Sequence, residues 1–472
     1  MKKLMIFIFS ILMISNVNSQ DITGTWNGKL TVQGGISLRL VFNIEKTDEG
    51  YKATMDSPDQ GAKGIPMSSA VLENNVLTLE MSAAGIKYVT TEISKDSIVG
   101  TFSQMGQKFP LNLYREVKEP EKLVRPQEPL PPYPYNAVDI IFPNEKENIK
   151  LAGTITYPAK KGKYPAVVLI TGSGPENRDE KIFGHKPFLV IADYLTRNGI
   201  IVLRFDDRGT FKSEGIFKTA TSFDFATDVE AAIKYLKTRD DVDPKKIGLI
   251  GHSEGGIIAP IVAVEDKSVN FIILLAGTAV DGGEISISQQ ELIGKANGMK
   301  DEDIAKTIAI NKEVFRMIRE NNDTDSLKKQ ITEFLLSKSD EFPKGSIPED
   351  TPVEKVIEMQ VAQITGPWML NFIRYNPAPT LSKVKCATLA LFGEKDLQVS
   401  PALNIPVMKQ MIEKSKNKKF EIQKIKGVNH MFQECKTGLP GEYVTIEQTF
   451  SPEVLKLISD WILKTTKFTP NP

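Results

Sequence analysis

The chain carries one hydrophobic pattern up to about residue 115 and a different one from about residue 137. In the first part, short runs such as 38–44 alternate apolar with polar positions or are rich in β-branched residues, and turn clusters such as Gly34-Gly35 separate them. Alternation with a period of two is typical of half-buried strands. We therefore predict a small all-β domain over residues 20–115, built as a sandwich or a small barrel. Trp26 is expected to fill its core rather than line a ligand cavity.

From residue 137 onwards, apolar runs of strand length alternate with helical patterns. This order predicts an α/β domain over 137–472, in which helices cover both faces of a mostly parallel sheet. The first two runs, 138–142 and 151–157, are expected to pair antiparallel. The other predicted strands are 165–171, 200–205, 247–250, 269–275, 387–392 and 420–425. The predicted helices of this layer are 186–198, 223–238, 257–263 and 452–465.

Two segments depart from these patterns. Residues 116–136 are rich in proline, which predicts an extended, semi-rigid linker. Between about 281 and 371 the strands pause, and the sequence is charged and helical in pattern, with helices expected at 301–321, 326–337 and 353–364. Ligands of such sheets bind at the carboxyl edge of the strands. We therefore predict that 281–371 is a helical cap inserted over that edge.

The first residues are typical of a secretory signal peptide rather than of a fold. Lys2 and Lys3 precede an uncharged apolar run at 4–14, and Val17 and Ser19 are small residues ahead of a cut near Ser19-Gln20. The run is too short to span a bilayer. Residues 1–19 are therefore predicted to be removed on export to a periplasm or to the exterior, with no membrane span in the mature protein.

The charge balance narrows the classes of binding partner, and the cysteine positions bear on disulfide formation. The chain has 59 basic and 59 acidic residues, and this balance gives no indication of binding to nucleic acid or to an anionic membrane. Its two cysteines, Cys386 and Cys435, are expected at opposite ends of one strand, on the order of 20 Å apart, which is too far for a disulfide. The sequence does not set the oligomeric state.

The stretch Ile247–Gly256 carries the strongest chemical signal. An apolar strand stops at Gly251, a helical pattern starts at Gly255, and Ser253 lies between them in a Gly-x-Ser-x-Gly motif. A serine on a sharp strand-to-helix turn projects its hydroxyl into accessible space beside a helix N-terminus. We therefore predict that Ser253 is a nucleophile.

A serine nucleophile needs a base, and the chain has three histidines. His252 is adjacent to the serine and cannot face it, and His185 precedes the turn, so both are expected to be structural. His430 follows the last predicted strand in a glycine-bearing loop and is assigned as the base, in the chain order Ser…acid…His.

Three carboxylates compete for the role of orienting acid. Asp396 follows the strand after the cap and is preferred. Asp281, after the preceding strand, comes second, and Glu394 comes third. 

The oxyanion donors are predicted to be backbone amides. One is the N–H of Glu254, and the second is that of Ser173 or Gly172 in Thr171-Gly-Ser-Gly-Pro175. In the loop 207–213, Asp207 and Arg208 are expected to tie loops together beneath the site. No Cys/His cluster or His-Glu-x-x-His pattern is present in the sequence, so neither a metal nor a cofactor is predicted.

These residues resemble the α/β-hydrolase superfamily over about 138–467. The resemblance is carried by Gly251-His-Ser-Glu-Gly255, the loop 207–213, Gly393-Glu-Lys-Asp396 and Asn429-His430. The sequence is most similar to bacterial carboxylesterases grouped with serine-aminopeptidase-like hydrolases, also through 125–129 and 172–178. The resemblance implies a triad of the matched serine, aspartate and histidine, with Gly172-Ser173 in the oxyanion hole. Thr210-Phe211 departs from a turn that often contains glycine in the superfamily.

The function predicted from these residues is an exported serine hydrolase that cleaves small to medium carboxylic esters through an acyl-enzyme. A peptidase of the same fold is an alternative, and it would need carboxylates to bind an α-amino group, for which the cap supplies candidates (Glu284, Glu291, Asp301 and Glu302). A dehalogenase or epoxide hydrolase is disfavoured, since those enzymes place aspartate at the turn. A third alternative is a binding protein with a degenerate hydrolase domain.

Overall fold

The computed structural model describes residues 21–31, 37–58, 62–104, 107–115, 125–342 and 352–470. The predicted signal peptide and the first part of the predicted linker, residues 116–124, lie outside these ranges. The chain divides into two compact units, one N-terminal and one that contains the described residues from Arg125 onwards.

The N-terminal unit is all-β, as predicted, and its strands form one antiparallel sheet. The strand order is β4-β3-β2-β1-β9-β8-β7-β6-β5, so chain neighbours pair with each other except where β1 joins β9. The strands are β1 (Gly24–Thr31), β2 (Ser37–Thr47), β3 (Gly50–Ser57), β4 (Ala62–Pro66), β5 (Ser69–Glu73), β6 (Val76–Met81), β7 (Ile86–Ile93), β8 (Ser97–Gln104) and β9 (Gln107–Tyr114).

Of the two architectures expected from the sequence, this single sheet is closer to the small barrel than to the two-sheet sandwich. The sheet curls until β3 lies close to β5, and its two ends, β4 and β5, are not hydrogen-bonded neighbours in the part of the chain that the structure describes. The curl lets one sheet enclose its own core. Trp26 is fully buried there, donates from Nε1 to the carbonyl of Ile22 at 2.8 Å and lies 4.1 Å from the Arg115 guanidinium. The prediction that Trp26 fills the core is confirmed.

The second unit is built on an eight-stranded mixed sheet in the order β10-β11-β13-β12-β14-β15-β16-β17. The first two strands pair antiparallel, as predicted, and all pairs from β13 to β17 are parallel. The strands are β10 (Tyr135–Asn144), β11 (Ile149–Pro158), β12 (Tyr164–Ile170), β13 (Ile201–Phe205), β14 (Val242–His252), β15 (Phe271–Leu275), β16 (Ala387–Gly393) and β17 (Phe420–Ile425).

Helices flank this sheet and bury its central strands. Every residue of β12, β13, β15 and β16 is buried, which explains why these strands are apolar runs without alternation. The packed helices are α1 (Pro187–Arg197), α2 (Ser222–Lys237), α3 (Gly255–Glu265), α10 (Pro401–Ser415), α11 (Pro440–Tyr443) and α12 (Pro452–Thr466).

A helical insertion separates β15 from β16, where the cap is predicted. It has a hydrophobic core of its own, with Ile318, Leu327, Ile331, Ile357 and Ile373 fully buried. Its helices are α4 (Gly282–Ala296), α5 (Asp301–Glu320), α6 (Thr324–Ser337), α7 (Val353–Ile364), α8 (Pro367–Arg374) and α9 (Ala378–Leu381). The insertion therefore continues about ten residues beyond the predicted end at 371.

Two further findings concern the described part of the chain. None of its helices has the length and hydrophobicity needed to cross a membrane. The cysteines Cys386 and Cys435 are both free thiols.

Candidate active site

Ser253 lies on a strained turn between β14 and α3. Its φ of 51° is in the left-handed region, which costs free energy for any residue with a Cβ. The flanking glycines permit the turn, because a Cβ on Gly251 would lie 2.0 Å from the carbonyl oxygen of Gly255. The amide of Ser253 donates to Leu275 O at 2.8 Å, which fixes the turn to the next strand. The sequence therefore holds this one side chain at the carboxyl edge of the sheet.

His430 and Asp396 meet at the same edge. The loop of residues 426–434, here called the histidine loop, follows β17, and Asp396 follows β16. Nδ1 of His430 and Oδ2 of Asp396 are 2.8 Å apart, and the two residues are 5% and 2% exposed. The other carboxylate oxygen, Oδ1, accepts the amides of Gln398 and Val399, each at 2.8 Å. Two backbone amides therefore hold one oxygen of Asp396, and the other oxygen faces the imidazole.

The histidine loop contacts the turn that carries the serine. His252 Nε2 lies 3.1 Å from the carbonyl oxygen of His430, and the centroids of the two rings are 4.8 Å apart. Among the described residues, neither Ser253 Oγ nor His430 Nε2 has a hydrogen-bond partner. Both atoms are therefore available for a substrate, and catalytic contacts of this kind often shorten only in a complex.

Residues 171–175, here called the glycine loop, approach the serine from β12. A Cβ placed on Gly172 would lie 3.4 Å from Cβ of Ser253. The amide of Gly172, however, donates to Glu180 Oε1 at 2.9 Å. This contact corrects the expectation that Gly172 offers a free oxyanion donor. The amides of Ser173 and Glu254 have no acceptor within the ranges that the structure describes.

Asp207 and Arg208 support the site from beneath, as predicted. Asp207 accepts from Thr171 Oγ1 at 2.7 Å and from the Glu176 amide at 3.0 Å, so it ties down both ends of the glycine loop. Burial raises the pKa of this carboxyl well above its usual range. Arg208 pairs with buried Asp228 at 2.7 Å.

The sequence predicts a role only for the backbone amide of Glu254. In the structure its side chain also joins the sheet layer to the cap. It is 3% exposed, and its Oε1 accepts from Ser222 Oγ at 2.6 Å and from Trp368 Nε1, on α8, at 2.8 Å. Burial raises its pKa to about 7. No local pattern predicts this contact, because Trp368 lies 114 positions further along the chain.

The competing acids and histidines have other partners. Asp281 caps α4 by accepting the amides of Gly283 and Glu284, and Glu394 accepts the amide of Gly427 at 3.0 Å. His185 is buried between the Thr449 hydroxyl and the carbonyl of Tyr443, and burial lowers its pKa to about 4. Neither Asp281 nor Glu394 contacts His430.

The described ranges contain no cluster of three or more histidine, cysteine, aspartate or glutamate side chains arranged to hold a metal ion.

Comparison with known families assigns the second unit. Residues 147–405, more than half of the chain, match the model of the S15 peptidases, described as X-Pro dipeptidyl-peptidases. The chain belongs to this family. The match begins in the strand pair at the edge of the mixed sheet and includes Ser253 and Asp396, but it ends before His430. This family match and the mixed sheet place the chain in the α/β-hydrolase superfamily.

Two curated proteins match shorter segments. Esterase EstD from Thermotoga maritima is 36% identical over 124 residues, which are 26% of this chain and 30% of EstD. A putative carboxymethylenebutenolidase from Synechocystis sp. is 24% identical over 134 residues, which are 25% of this chain and 50% of that protein. The chain thus covers half or less of the length of these relatives.

Solved structures match over a longer part of the chain at low identity. The α/β-hydrolase GrgF from Penicillium sp. is 16% identical, with a TM-score of 0.44, over 71% of this chain and 100% of GrgF. The Pyrococcus furiosus esterase Pf2001 is 16% identical, with a TM-score of 0.39, over 71% of this chain and 94% of the esterase.

Proposed function

We propose that this protein is an exported carboxylesterase that acts on small to medium carboxylic esters through an acyl-enzyme. The observation that carries the proposal is the arrangement at the sheet edge. Ser253 lies in a strained turn in which the adjacent His252 contacts His430, and His430 pairs with buried Asp396. The glycine loop beside the turn has a free backbone amide among the described residues.

The chemistry follows from these positions. Ser253 Oγ attacks the acyl carbonyl, and His430 Nε2 takes the serine proton and later gives it to the leaving alcohol. Asp396 keeps the proton of the neutral ring on Nδ1 and stabilises the imidazolium that forms. We assign the oxyanion to the amides of Glu254 and Ser173, which have no acceptor among the described residues, and water then hydrolyses the acyl-enzyme in the reverse sequence.

The surroundings favour an ester over a substrate with a free amino group. Of the cap acids that a peptidase could use, Glu291 and Glu302 form exposed pairs with lysines one turn away on their own helices. Nearer the site, burial and the Glu180 carboxylate raise the pKa of Glu176 to about 8. This carboxyl is therefore mostly uncharged at pH 7 and does not supply a full negative charge for an α-amino group. The partial similarity to an esterase supports the same choice.

A peptidase remains the second candidate, because the family to which the chain belongs is described by an X-Pro dipeptidyl-peptidase activity. Such an enzyme uses the same triad chemistry on an amide bond. A binding protein with a degenerate site is the weaker candidate, because the serine, histidine and aspartate are all present at the sheet edge.

Export is proposed from the sequence of residues 1–19. If it occurs, the mature chain starts near Gln20, and N-terminal sequencing of protein secreted by an expression host would locate the cut. A chain that retains Met1 in the cytoplasm would contradict this part of the proposal.

Substrate profiling tests the activity. The chain from Gln20 should hydrolyse p-nitrophenyl esters from acetate upwards, with a chain-length profile that reports the size of the acyl pocket. Ser253→Ala, run in parallel, should reduce turnover to the background rate. An aminoacyl-naphthylamide and an X-Pro-naphthylamide serve as amide controls, and faster turnover of either amide than of the esters would replace the esterase by the peptidase.

A further inference from the structure

A second pair of buried ionisable residues lies directly behind the proposed triad. His252 Nδ1 and Glu180 Oε1 are 2.9 Å apart, and the two residues are 6% and 4% exposed. Neither takes part in the acyl transfer described above. Glu180 also has a φ of 50°, a left-handed backbone that costs free energy for a residue with a Cβ. The strained backbone therefore holds the buried carboxylate in one specific position.

The pair contacts both loops that flank the serine. The same oxygen of Glu180 that meets His252 accepts the amide of Gly172, in the glycine loop, at 2.9 Å. The other ring nitrogen of His252 lies 3.1 Å from the carbonyl oxygen of His430, in the histidine loop. The two loops, which follow β12 and β17, are therefore joined through Glu180 and His252.

These contacts define the protonation of His252. A backbone carbonyl only accepts hydrogen bonds, so Nε2 must carry a proton. Glu180 Oε1 already accepts the amide of Gly172, and as an acceptor it requires a proton on Nδ1 of His252 as well. With both nitrogens protonated, the ring is an imidazolium.

The electrostatic environment agrees with this assignment. Burial, the largest single effect, lowers the pKa of His252, but the Glu180 carboxylate, the carbonyl of His430 and Asp396 together raise it above that of an ordinary histidine. The other charged or titratable groups around the ring are Glu176 beside Glu180, Asp396 beyond His430, and the His430 ring itself. Glu254 is the nearest such group on the same turn.

We propose that Glu180 and His252 form an ion pair that positions the histidine loop and the glycine loop relative to Ser253. They are positioning residues, since neither touches the reacting atoms. The kinetic part of this proposal rests on the proposed hydrolase function, whereas the charge state of His252 can be measured without any substrate.

Glu180→Gln removes the charge of this side chain and keeps its size. The glutamine oxygen can accept from Gly172, but His252 is then neutral at high pH and has a single proton for two acceptors. One of the two loop contacts is lost until the ring takes up a proton, and burial shifts that step below the pH of about 6.5 at which an ordinary histidine is protonated. The variant should therefore regain its loop contacts as the pH falls.

The first measurement is a nitrogen-15 NMR spectrum of histidine-labelled protein at pH 8, with the three signals assigned by single substitutions. We expect both ring nitrogens of His252 at imidazolium positions in the wild type and at neutral positions in Glu180→Gln, with His185 neutral in both. A neutral His252 in the wild type would overturn the proposal, whether or not the protein hydrolyses esters.

The second measurement is kcat for ester hydrolysis between pH 8 and pH 5, expressed as the ratio of variant to wild type so that pH effects common to both proteins cancel. We expect kcat of Glu180→Gln to be about 10-fold to 100-fold lower at pH 8, as for a misplaced catalytic group, and the ratio to rise as the pH falls below 6. Glu214→Gln is the matched control, because Glu214 also accepts a backbone amide, that of Lys150 at 2.9 Å. Its ratio should stay near one, and a pH-independent ratio for Glu180→Gln would reduce the pair to a structural contact and refute the inference.

Discussion

Replacing Asp396 with asparagine tests whether its carboxylate orients His430. One oxygen of Asp396 accepts the amides of Gln398 and Val399, and the other meets His430 Nδ1. The single amide oxygen in Asp396→Asn can serve only one of these sides. If it stays with the two backbone amides, its NH2 group points at the imidazole and donates to Nδ1.

The size of the effect follows from these hydrogen bonds. Turning the amide oxygen towards His430 would leave two backbone N–H groups facing an NH2 group, at about 1–3 kcal/mol each. The opposite orientation is then favoured by about 2–6 kcal/mol. In that orientation the ring proton moves to Nε2, and His430 cannot accept the proton of Ser253. We expect kcat to fall by about 30-fold to 10⁴-fold.

The assay is steady-state hydrolysis of a p-nitrophenyl ester, with kcat and KM determined separately and folding checked by circular dichroism. KM should change little, because the substitution alters proton transfer and not the pocket. Asp281→Asn is the matched control, since Asp281 also accepts two backbone amides but at the start of α4. Near wild-type kcat in Asp396→Asn, or an equal loss in Asp281→Asn, would refute the assignment.

Three further outcomes are expected. His185 has a folded pKa of about 4 and an unfolded pKa near 6.5, so its contribution to stability is complete above pH 6.5 and is lost as the pH falls from 6.5 to 4. The loss is at most about 3 kcal/mol. Urea titrations at several pH values should therefore show a flatter dependence of stability on pH for His185→Gln than for the wild type. Gly256→Ala should destabilise the fold by about 1–3 kcal/mol or more, because its Cβ would lie 2.4 Å from the Cα of Gly277; an unchanged melting temperature would contradict the close approach. Trp368→Phe should cost about 1–3 kcal/mol in urea unfolding by removing a donor from buried Glu254, and an unchanged midpoint would show that water replaces the bond.

Much of the second unit could be predicted from the sequence because its elements have local causes. The buried parallel strands are short apolar runs, and the helices between them have amphipathic patterns, so the element order follows from patterning alone. The approach of His430 to Asp396 was also predictable, because three histidines left few choices and one of them follows the last strand of the sheet.

The parts that the sequence did not reveal depend on contacts between distant positions. The N-terminal strands were recognised, but the pairing of β1 with β9, which makes one curled sheet of them, is a long-range choice that alternation does not encode. Glu180 accepts the amide of Gly172 from a backbone in the left-handed region, a conformation that hydrophobic patterning does not encode. The contact of Trp368 with Glu254 likewise requires the packed cap.

Labelling with a fluorophosphonate tests most directly whether Ser253 is the nucleophile. The reagent phosphonylates an activated serine and needs no knowledge of the natural substrate. Mass spectrometry should find one adduct per chain, on the peptide that contains Ser253, with loss of ester hydrolysis in proportion to labelling. Ser253→Ala should remain unlabelled while keeping its fold. An adduct on another serine, or undiminished hydrolysis by fully labelled protein, would contradict the assignment of Ser253 as the nucleophile.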